Sequence, residues 1–319
     1  MDFKRKLIAV VIVNFNNWKY TISCIESVLS SNKKPCWVFI IDNASQDSSF
    51  QKLEEWATKN LRPEQIVLTN QYEHITTSTP PHHNTVILIK NPENRGYAAG
   101  NNIGISLGLK WGADAVWILN NDTVVHPDAL KAMTERLFSK PHPGLCGSLI
   151  CYMDQPQKVQ CRAGGKSNKW TGFSVLNGQG MTVEQATHEN PDDIEKAIDF
   201  IYGASVMVSR KFIEDVGPMD ERYFLYSEEQ DWAYSSQGRF DFAYAANALV
   251  FHKEGASTEF SANKMRYKSL WFLTRSRLLL TAKHAPLALP TVCMGIVWAG
   301  IRMVWRRVGR QHKSKLSFL

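Results

Sequence analysis

Short apolar runs alternate with segments of helical periodicity through the first part of the chain. The runs are rich in β-branched residues and apolar at nearly every position, which is typical of parallel strands buried on both faces. The segments between them place apolar residues three and four positions apart, as amphipathic helices do. The pattern predicts an α/β fold with a Rossmann-like, mostly parallel central sheet flanked by helices. The predicted strands are Leu7 to Val13, Trp37 to Ile41, Val86 to Lys90 and Val116 to Leu119.

Polar side chains follow these strands at the points where they end. Asn14 follows the first strand, Asp42 the second, and Asn120, Asn121 and Asp122 the central one. The carboxyl ends of parallel strands open into a ligand-binding crevice, where a lone carboxylate suits a hard divalent cation that holds a diphosphate. Taken alone, the segment is as consistent with a polar turn before a helix that starts at Pro127.

The second half of the chain is predicted from similar signals. Gly147 to Tyr152 and Phe200 to Val208 read as strands, Ser209 caps a helix that ends at Val216, and residues 154–199 suit hairpins. Two further short strands are predicted at Phe240 to Ala245 and Ala248 to Phe251. The polar segment from Asn70 to Thr85 is interpreted as an exposed insertion, whose adjacent His82 and His83 suit a solvated loop better than a metal site.

An acidic cluster at residues 220–232 is the strongest candidate for chemistry. Ser227 is a plausible N-cap that places Glu228, Glu229 and Asp231 in the first turn of a helix. Capping explains one or two of these carboxylates, and three beside an aromatic run suggest a base in a cleft. His252 ends a strand and would be a second metal ligand beside Asp122.

Composition excludes several classes of protein. No G-x-G-x-x-G follows the first strand, which argues against a dinucleotide dehydrogenase. The six cysteines show no C-x-x-C pair, so neither a zinc site nor a disulfide framework is indicated, and reduced thiols in the cytosol are expected. The net charge of +7 arises from the C-terminal tail, because twelve of the 37 Lys and Arg residues and no acid follow Asn263.

The tail joins this charge to apolar residues. Ala285 to Ile301 is an apolar run interrupted by two prolines, with Trp298 and Trp305 nearby and arginines after it. A spanning helix needs about 20 apolar residues, so the pattern favours a helix at the interface of an anionic membrane over a span or a nucleic-acid contact. A core helix and a homodimer interface are the alternatives.

The ordered motifs resemble family 2 glycosyltransferases of the GT-A fold, and among them bacterial rhamnosyltransferase-like members. The resemblance extends from Leu7 to Ser257. It implies a glycosyltransferase domain at 1–260, with a nucleotide-binding half to about 125 and an acceptor-binding half after it, and a helical tail at 261–319. The matching motifs are Val13-Asn14-Phe15-Asn16, Asp42-Asn43-Ala44-Ser45, the run from Asn94 to Asn102, Asn120-Asn121-Asp122, Tyr223-Phe224-Leu225-Tyr226 and the run from His252 to Ser257.

The resemblance also implies roles for particular residues. Asp122 and His252, with Asn120 beside them, would hold Mg²⁺ or Mn²⁺, and Glu229 would be the base of an inverting transfer, with Glu228 and Asp231 assisting. Asp42 would accept a hydrogen bond from the pyrimidine base, and the other expected substrate contacts are Asn14, Asn94, Arg95, Gly96, Asn102, Asn121, Gly203 and Trp232. Three positions depart from the family pattern: Asn120 replaces the first D-x-D carboxylate, Glu229 stands where many members have Asp, and Ser235 where many have Arg.

The expected function is therefore the inverting, metal-dependent transfer of a sugar. The predicted donor is dTDP-L-rhamnose, and the predicted acceptor is a glycan, growing or linked to a polyprenyl diphosphate, at the inner face of the plasma membrane. A UDP-sugar donor is an alternative. A membrane-tethered module that binds a nucleotide sugar without turnover is another, which the departures at Asn120 and Ser235 keep open.

Overall fold

The computed structural model describes residues 5–70, 79–253, 264–300 and 302, without the side chains of 264–267. The predicted elements of the first half are present within one or two residues of their expected ends. The strands are β1 (Ile8–Asn14), β2 (Trp37–Asp42), β3 (Ile66–Thr69), β4 (Thr85–Lys90), β5 (Ala115–Asn120), β6 (Thr123–Val125), β7 (Pro143–Tyr152), β8 (Gln155–Arg162), β9 (Gly164–Asn168), β10 (Phe173–Leu176), β11 (Phe200–Ile201), β12 (Ser205–Ser209) and β13 (Asp241–His252). The helices are α1 (Trp18–Leu29), α2 (Ser49–Asn60), α3 (Tyr97–Lys110), α4 (Ala129–Phe138), α5 (Val183–Thr187), α6 (Pro191–Ala197), α7 (Arg210–Val216), α8 (Glu228–Ser235) and α9 (Lys264–His284).

One large mixed sheet forms the centre of the described structure. Its order is β3, β4, β2, β1, β5, β12, β7, β13, β6, with β8 also paired to β7. The five strands from β3 to β5 are parallel to one another, and antiparallel β12 continues the sheet. Four of the five were predicted from the buried apolar runs, and β3 was not. A second, three-stranded sheet of β10, β9 and β11 comes from the region in which hairpins were expected.

Glycines in α3 set the distance between this helix and the sheet. Gly104 faces β1 so closely that a Cβ there would lie 2.6 Å from a Val11 methyl carbon, and a Cβ at Gly108 would lie 3.0 Å from Ala9 Cβ. These glycines therefore allow α3 to pack closely on the sheet. The loop before the helix, which carries Asn94 and Gly96, reaches the cavity at the ends of the strands.

Two strand predictions were wrong in detail. The stretch expected as one strand from Phe200 to Val208 is interrupted, because residues 202–204 leave the sheet between β11 and β12. The two short strands expected after Phe240 form the single strand β13, whose register on β7 shifts between Ala245 and Leu249. The polar Asn247 inside this apolar pattern lies at that irregularity, which is typical of a bulge.

One predicted helix cap also differs. Ser227 occupies the N-cap of α8, but its side chain makes no capping hydrogen bond. Ser227 adopts a left-handed conformation with φ 67°, which turns its side chain away from the usual cap geometry. The cap predicted at Ser209 is confirmed, since Phe212 N donates to Ser209 Oγ at 3.1 Å.

The C-terminal region packs on the α/β fold rather than extending from it. The ring of Phe272 in α9 stacks on Phe224 with centroids 4.5 Å apart, and Ser276 Oγ donates to Leu225 O at 2.9 Å. A short turn follows α9, and residues 289–300 are again helical. No helix in the described ranges has the length and hydropathy that crossing a bilayer requires. Several residues singled out in the sequence lie outside the described ranges: Trp305, the arginines after 302, and the motif residues after Lys253.

Candidate active site

The carboxyl ends of the parallel strands open into a cavity of about 1560 Å³. Its walls combine the loop before α3, the end of β5, the start of α8, the end of β13 and the first turns of α9. The crevice is therefore where the strand pattern predicted it. The predicted residues that line it are Asn94, Gly96, Asn120, Asn121, Asp122, Gly203, Glu228, Glu229 and His252.

Asp122 and His252 meet at one end of the cavity. His252 Nε2 lies 3.2 Å from Asp122 Oδ1, and both side chains are buried. The contact is built by strand pairing, because His252 stands opposite Thr123 in the β13–β6 ladder and Lys253 N donates to Asp122 O at 3.0 Å. Two residues that are 130 positions apart in sequence thus share one site.

The hydrogen bond on the other ring nitrogen indicates what this pair can hold. His252 Nδ1 lies 2.8 Å from Gln160 Oε1. The neutral tautomer that carries its proton on Nδ1 donates to this oxygen and leaves the lone pair of Nε2 facing the carboxylate of Asp122, which suits a cation between them. The donor set, one imidazole and one carboxylate, fits a divalent metal.

The protein supplies only part of a coordination shell. Within the described ranges, no group of three His, Cys, Asp or Glu side chains is placed to bind one ion. Asn120, the third expected ligand, lines the cavity, but its Oδ1 accepts a hydrogen bond from Tyr97 Oη at 2.9 Å. Mg²⁺ and Mn²⁺ keep waters and substrate phosphate oxygens as ligands, so a site with two protein ligands suits a phosphate-bound metal.

Glu228 and Glu229 lie at the start of α8 on another wall of the cavity. Burial, and then the neighbouring carboxylate of Glu229, raises the pKa of Glu228 well above its usual value. Burial raises the pKa of Glu229 to about 7, against hydrogen bonds from its own backbone and that of Gly203. A carboxylate with a pKa near neutral pH is suited to accept a proton from a substrate hydroxyl.

The loop before Glu228 is held in an unusual conformation. Tyr226 and Ser227 both have positive φ angles, 72° and 67°. Such a conformation costs about 1–3 kcal/mol per non-glycine residue and persists where the surrounding contacts enforce it. One such contact is the hydrogen bond that Tyr97 N donates to Phe224 O at 2.8 Å. It requires glycine at position 96, because a Cβ there would lie only 2.5 Å from the same oxygen. The glycine thus allows the two cavity loops to meet.

Asp231 is not among the residues that line this cavity. Its Oδ1 accepts from Tyr223 Oη at 3.1 Å and from His284 at 2.7 Å, and its Oδ2 accepts from Lys283 at 2.8 Å. Burial alone would raise the pKa of Asp231, but the hydrogen bonds and charges of His284 and Lys283 outweigh it and lower the pKa. The geometry gives this carboxylate a role in fastening α9 to α8.

Asn14 and Asp42 lie behind the cavity wall in a hydrogen-bonded chain. Asn14 Nδ2 donates to Asp42 Oδ2 at 2.7 Å, and Thr21 Oγ1 donates to Asn14 Oδ1 at 2.7 Å. Asn121 Nδ2 donates to Thr21 Oγ1 at 2.9 Å, and Ser45 Oγ donates to Asp42 Oδ2 at 2.6 Å. The chain holds the ends of β1, β2 and β5 in position, and Ser45 and Asn121 present its outer members to the cavity.

The other three expected substrate contacts also lie outside the cavity lining. Arg95 is exposed and pairs with Glu221 at 2.8 Å. Asn102 exchanges two hydrogen bonds with the backbone of Met219, and Trp232 Nε1 donates to Gly217 O at 2.8 Å. All three brace the segment that leads into the acidic cluster.

Sequence reasoning missed the aromatic wall of the cavity. The wall consists of Tyr97, Phe224 and Tyr226, which lie within the family motifs, and of Trp271 and Phe272, which come from α9. None of them was predicted to contact substrate, and α9 was expected to belong to the tail. No local signal places that helix against the cavity, because its docking depends on contacts with residues about 50 positions earlier.

The Rossmann-like mixed sheet, with the Asp122–His252 pair and the two glutamates of α8 lining one cavity, has the arrangement of the GT-A fold of glycosyltransferases. Residues 9–160 match the model described as Glycosyl transferase family 2. This part of the chain is therefore similar to family 2 glycosyltransferases, as the motifs indicated.

Relatives and solved structures agree with this placement. The chain is 23% identical over 261 residues to "N-acetylglucosaminyl-diphospho-decaprenol L-rhamnosyltransferase" from Mycobacterium tuberculosis (strain ATCC 25618 / H37Rv), covering 79% of this chain and 78% of the relative. The protein of that name from strain CDC 1551 / Oshkosh matches equally.

Two solved structures share the fold. GalNAc-T7, solved with UDP, GalNAc and Mn²⁺, superposes with a TM-score of 0.55 at 16% identity over 78% of this chain, which spans only 45% of GalNAc-T7. The mannosyltransferase PcManGT from Pyrobaculum calidifontis, solved with GDP-Man and Mn²⁺, gives a TM-score of 0.53 at 14% identity over 93% of this chain and 76% of PcManGT.

Proposed function

We propose that this glycosyltransferase moves L-rhamnose from dTDP-L-rhamnose, with inversion and with a divalent metal, onto a lipid-linked or growing cell-surface glycan. The transferred sugar and the lipid-linked acceptor are supported by the mycobacterial relative, an N-acetylglucosaminyl-diphospho-decaprenol L-rhamnosyltransferase. The observation that carries the mechanism is the placement of Glu229 in the same cavity as the Asp122–His252 pair. The donor diphosphate would lie at the pair and the acceptor hydroxyl at Glu229.

Glu229 is the proposed base. Its carboxylate accepts the proton of the acceptor hydroxyl, whose oxygen attacks the anomeric carbon from the face opposite the leaving diphosphate. Gly203 leaves room for this carboxylate, since a Cβ there would lie 3.3 Å from Glu229 Cδ. Glu228, whose raised pKa keeps it protonated, lies beside the base without adding a second negative charge.

Asp122 and His252 are the proposed holders of Mg²⁺ or Mn²⁺, with Asn120 beside them. The bound metal would neutralise charge on the departing diphosphate. The aromatic wall that includes Trp271 and Phe272 offers an apolar surface for a nucleoside base or an acceptor lipid. The chain would work at the inner face of the plasma membrane, with its C-terminal tail at the bilayer surface.

The test combines donor binding with product analysis. Thermal unfolding is measured with dTDP-rhamnose, UDP-sugars and GDP-mannose, each with and without Mn²⁺, because a ligand of the native state raises Tm. A metal-enhanced shift selective for dTDP-rhamnose, followed by transfer to a synthetic polyprenyl diphosphate sugar with inverted anomeric configuration by NMR, is expected. Selectivity for a UDP-sugar overturns the donor. Binding without transfer to any acceptor of this class favours the non-catalytic module.

A further inference from the structure

The hairpin of β9 and β10 and the C-terminal helical segment together present one exposed apolar surface. The hairpin contributes Trp170, Phe173 and Val175, which are 61%, 46% and 71% exposed. The tail contributes Leu287, Met294 and Trp298, which are 85%, 63% and 59% exposed. We call these six residues the hairpin-tail surface.

Direct contacts join its two parts. Thr291 Oγ1 donates to Trp170 O at 2.6 Å, and the guanidinium of Arg277 lies 4.3 Å from the centre of the Phe173 ring. Gly172, at the hairpin turn, has φ +68° and lies so close to α9 that a Cβ there would be 2.8 Å from Arg277 side-chain carbons. The hairpin therefore rests on the tail.

Three tail residues form a stripe on one side of the helix at 289–300. Thr291, Met294 and Trp298 are separated by three and four positions, the spacing that places side chains on one face. Leu287 lies in the short turn before this helix, and Ala288 and Val292 are buried. Since Thr291 contacts the hairpin turn, the exposed stripe continues beside Trp170.

The two chain segments that form this surface carry basic but no acidic side chains. Residues 155–183 and 264–302 contain no Asp or Glu, although they are far apart in the chain. Lys166, Lys169, Arg277 and Arg302 lie within them, and Arg302 stacks on Trp298 at 4.5 Å. Asp199, which lies near the hairpin, accepts a hydrogen bond from Ser167 N at 3.1 Å and so is directed to the backbone.

We propose that the hairpin-tail surface is a two-part docking site for an anionic phospholipid bilayer, in which the β9–β10 hairpin inserts beside the tail. Exposed tryptophans flanked by cations, on two segments that contain no carboxylates, suit the interface of a bilayer that carries negative headgroups. The inference rests on the proposed membrane position of the tail and adds the hairpin to it. It also places α9, which lines the active cavity, next to the bilayer.

The test is sedimentation of the full chain with phosphatidylcholine vesicles that contain one quarter phosphatidylglycerol. Binding is expected to weaken with added salt and with pure phosphatidylcholine. Trp170→Glu and Val175→Glu should each lower the partition coefficient about tenfold or more, because an apolar contact is lost and a charge repelled by the lipid is added. Leu68→Glu on β3 is the matched control, since Leu68 is 40% exposed and lies on the edge strand of the central sheet.

The outcomes separate this inference from the proposed function. If Trp298→Glu abolishes vesicle binding but both hairpin variants bind like the wild type, the tail docks alone and the hairpin inference is wrong. If the wild type does not bind, both membrane proposals are wrong. A wild-type dimer that Trp170→Glu converts to a monomer, with vesicle binding unchanged, would show that a second copy covers the surface. The Tm shift with nucleotide sugar, measured on each variant, reports the active site independently.

Discussion

At the scale of single residues, the two neighbouring glutamates of α8 differ from Asp231 although all three carboxylates lie within one helical turn. Glu228 and Glu229 face the cavity and have raised pKa values, whereas Asp231 faces α9 and has a lowered pKa. Position 231 lies about 200° around the helix from position 229 but only about 60° from position 228, so rotation alone does not separate the three carboxylates. The contacts of Asp231 with Lys283 and His284 direct it to α9. Asp231 is buried against cations that the sequence places more than 50 residues later.

Glu229→Gln should lower kcat about 10²–10⁴-fold while leaving the donor-induced Tm shift in place, because the amide accepts no proton. In the wild type, kcat/KM should fall as pH drops through about 7, since Glu229 becomes protonated. Steady-state transfer at several pH values measures both. Asp231→Asn is the matched control, and a loss of kcat there equal to that of Glu229→Gln would contradict the assignment.

The raised pKa of Glu229 also makes the stability of the protein depend on pH. The folded protein binds this proton more tightly than the unfolded chain, so stability falls as pH rises from about 4.5 to about 7. Glu229→Gln should therefore raise the free energy of unfolding at pH 8 by on the order of 1–3 kcal/mol, and with it Tm, and should have little effect at pH 4. An unchanged Tm at pH 8 would mean that Glu229 is hydrated in the folded state.

Gln160→Leu should weaken metal binding about 10–100-fold, because His252 would lose the acceptor that fixes its proton on Nδ1. The readout is the Tm increase produced by Mn²⁺ with dTDP, titrated in metal, rather than activity. Gln179→Leu is a control, since Gln179 is an exposed glutamine that contacts Tyr152 outside the cavity lining. Equal metal titrations for wild type and Gln160→Leu would remove Gln160 from the site.

At the scale of elements, helix α3 shows how glycine spacing positions a cavity wall. Gly100, Gly104 and Gly108 recur every four residues and face Val13, Val11 and Ala9 of β1, respectively. Each is a helix residue at which a larger side chain would push α3 away from the sheet. The loop that carries Asn94 and Gly96 enters α3 directly, so displacement of the helix would also displace that loop.

Gly104→Ala should destabilise the protein by about 1–3 kcal/mol despite the higher helix propensity of alanine, because its Cβ would overlap Val11 inside a packed core. Chemical denaturation measures the change. Gly295→Ala is the control: no atom lies within 4 Å of its added Cβ in the described structure, and it should be neutral or slightly stabilising. Gly104→Ala with wild-type stability would show that the sheet yields without cost.

At the scale of the whole molecule, the C-terminal helix completes the active site. Helix α9 contributes Trp271 and Phe272 to the cavity, and its end is fastened by Lys283 and His284 to Asp231. Residues 264–284, which were expected to belong to the tail, therefore pack against the cavity, and the domain division near residue 260 stays a prediction. The fastening joins the docking of α9 to the helix that carries the proposed base.

Lys283→Met should destabilise the protein, because it leaves the buried carboxylate of Asp231 with fewer partners. Lys283 is one-third exposed, so solvent screening reduces the coupling to about 1 kcal/mol. A double-mutant cycle with Asp231→Asn, read by denaturation, measures it. Additive effects of the two changes would show that the ion pair contributes nothing to docking.

Most of the parallel core and the polar ends of its strands were predictable from the sequence, for a local reason. A strand buried on both faces must be continuously apolar, and the residue at which it leaves the sheet must be polar, so Asn14, Asp42 and Asn120 mark real strand ends. The motifs around them likewise identified the family, and the contact of Asp122 with His252 was expected from their roles there.

Only the tertiary structure decided how the remaining site residues are used. Contacts with Lys283 and His284 turned Asp231 to α9, and the hydrogen-bonded chain placed Asp42 behind the wall. Long-range packing brought Trp271 into the cavity and the β9–β10 hairpin onto the tail. Local composition and spacing determine which residues are buried in an element, because burial depends on periodicity. Which buried partner each one meets depends on contacts between distant segments, and periodicity carries no information about those.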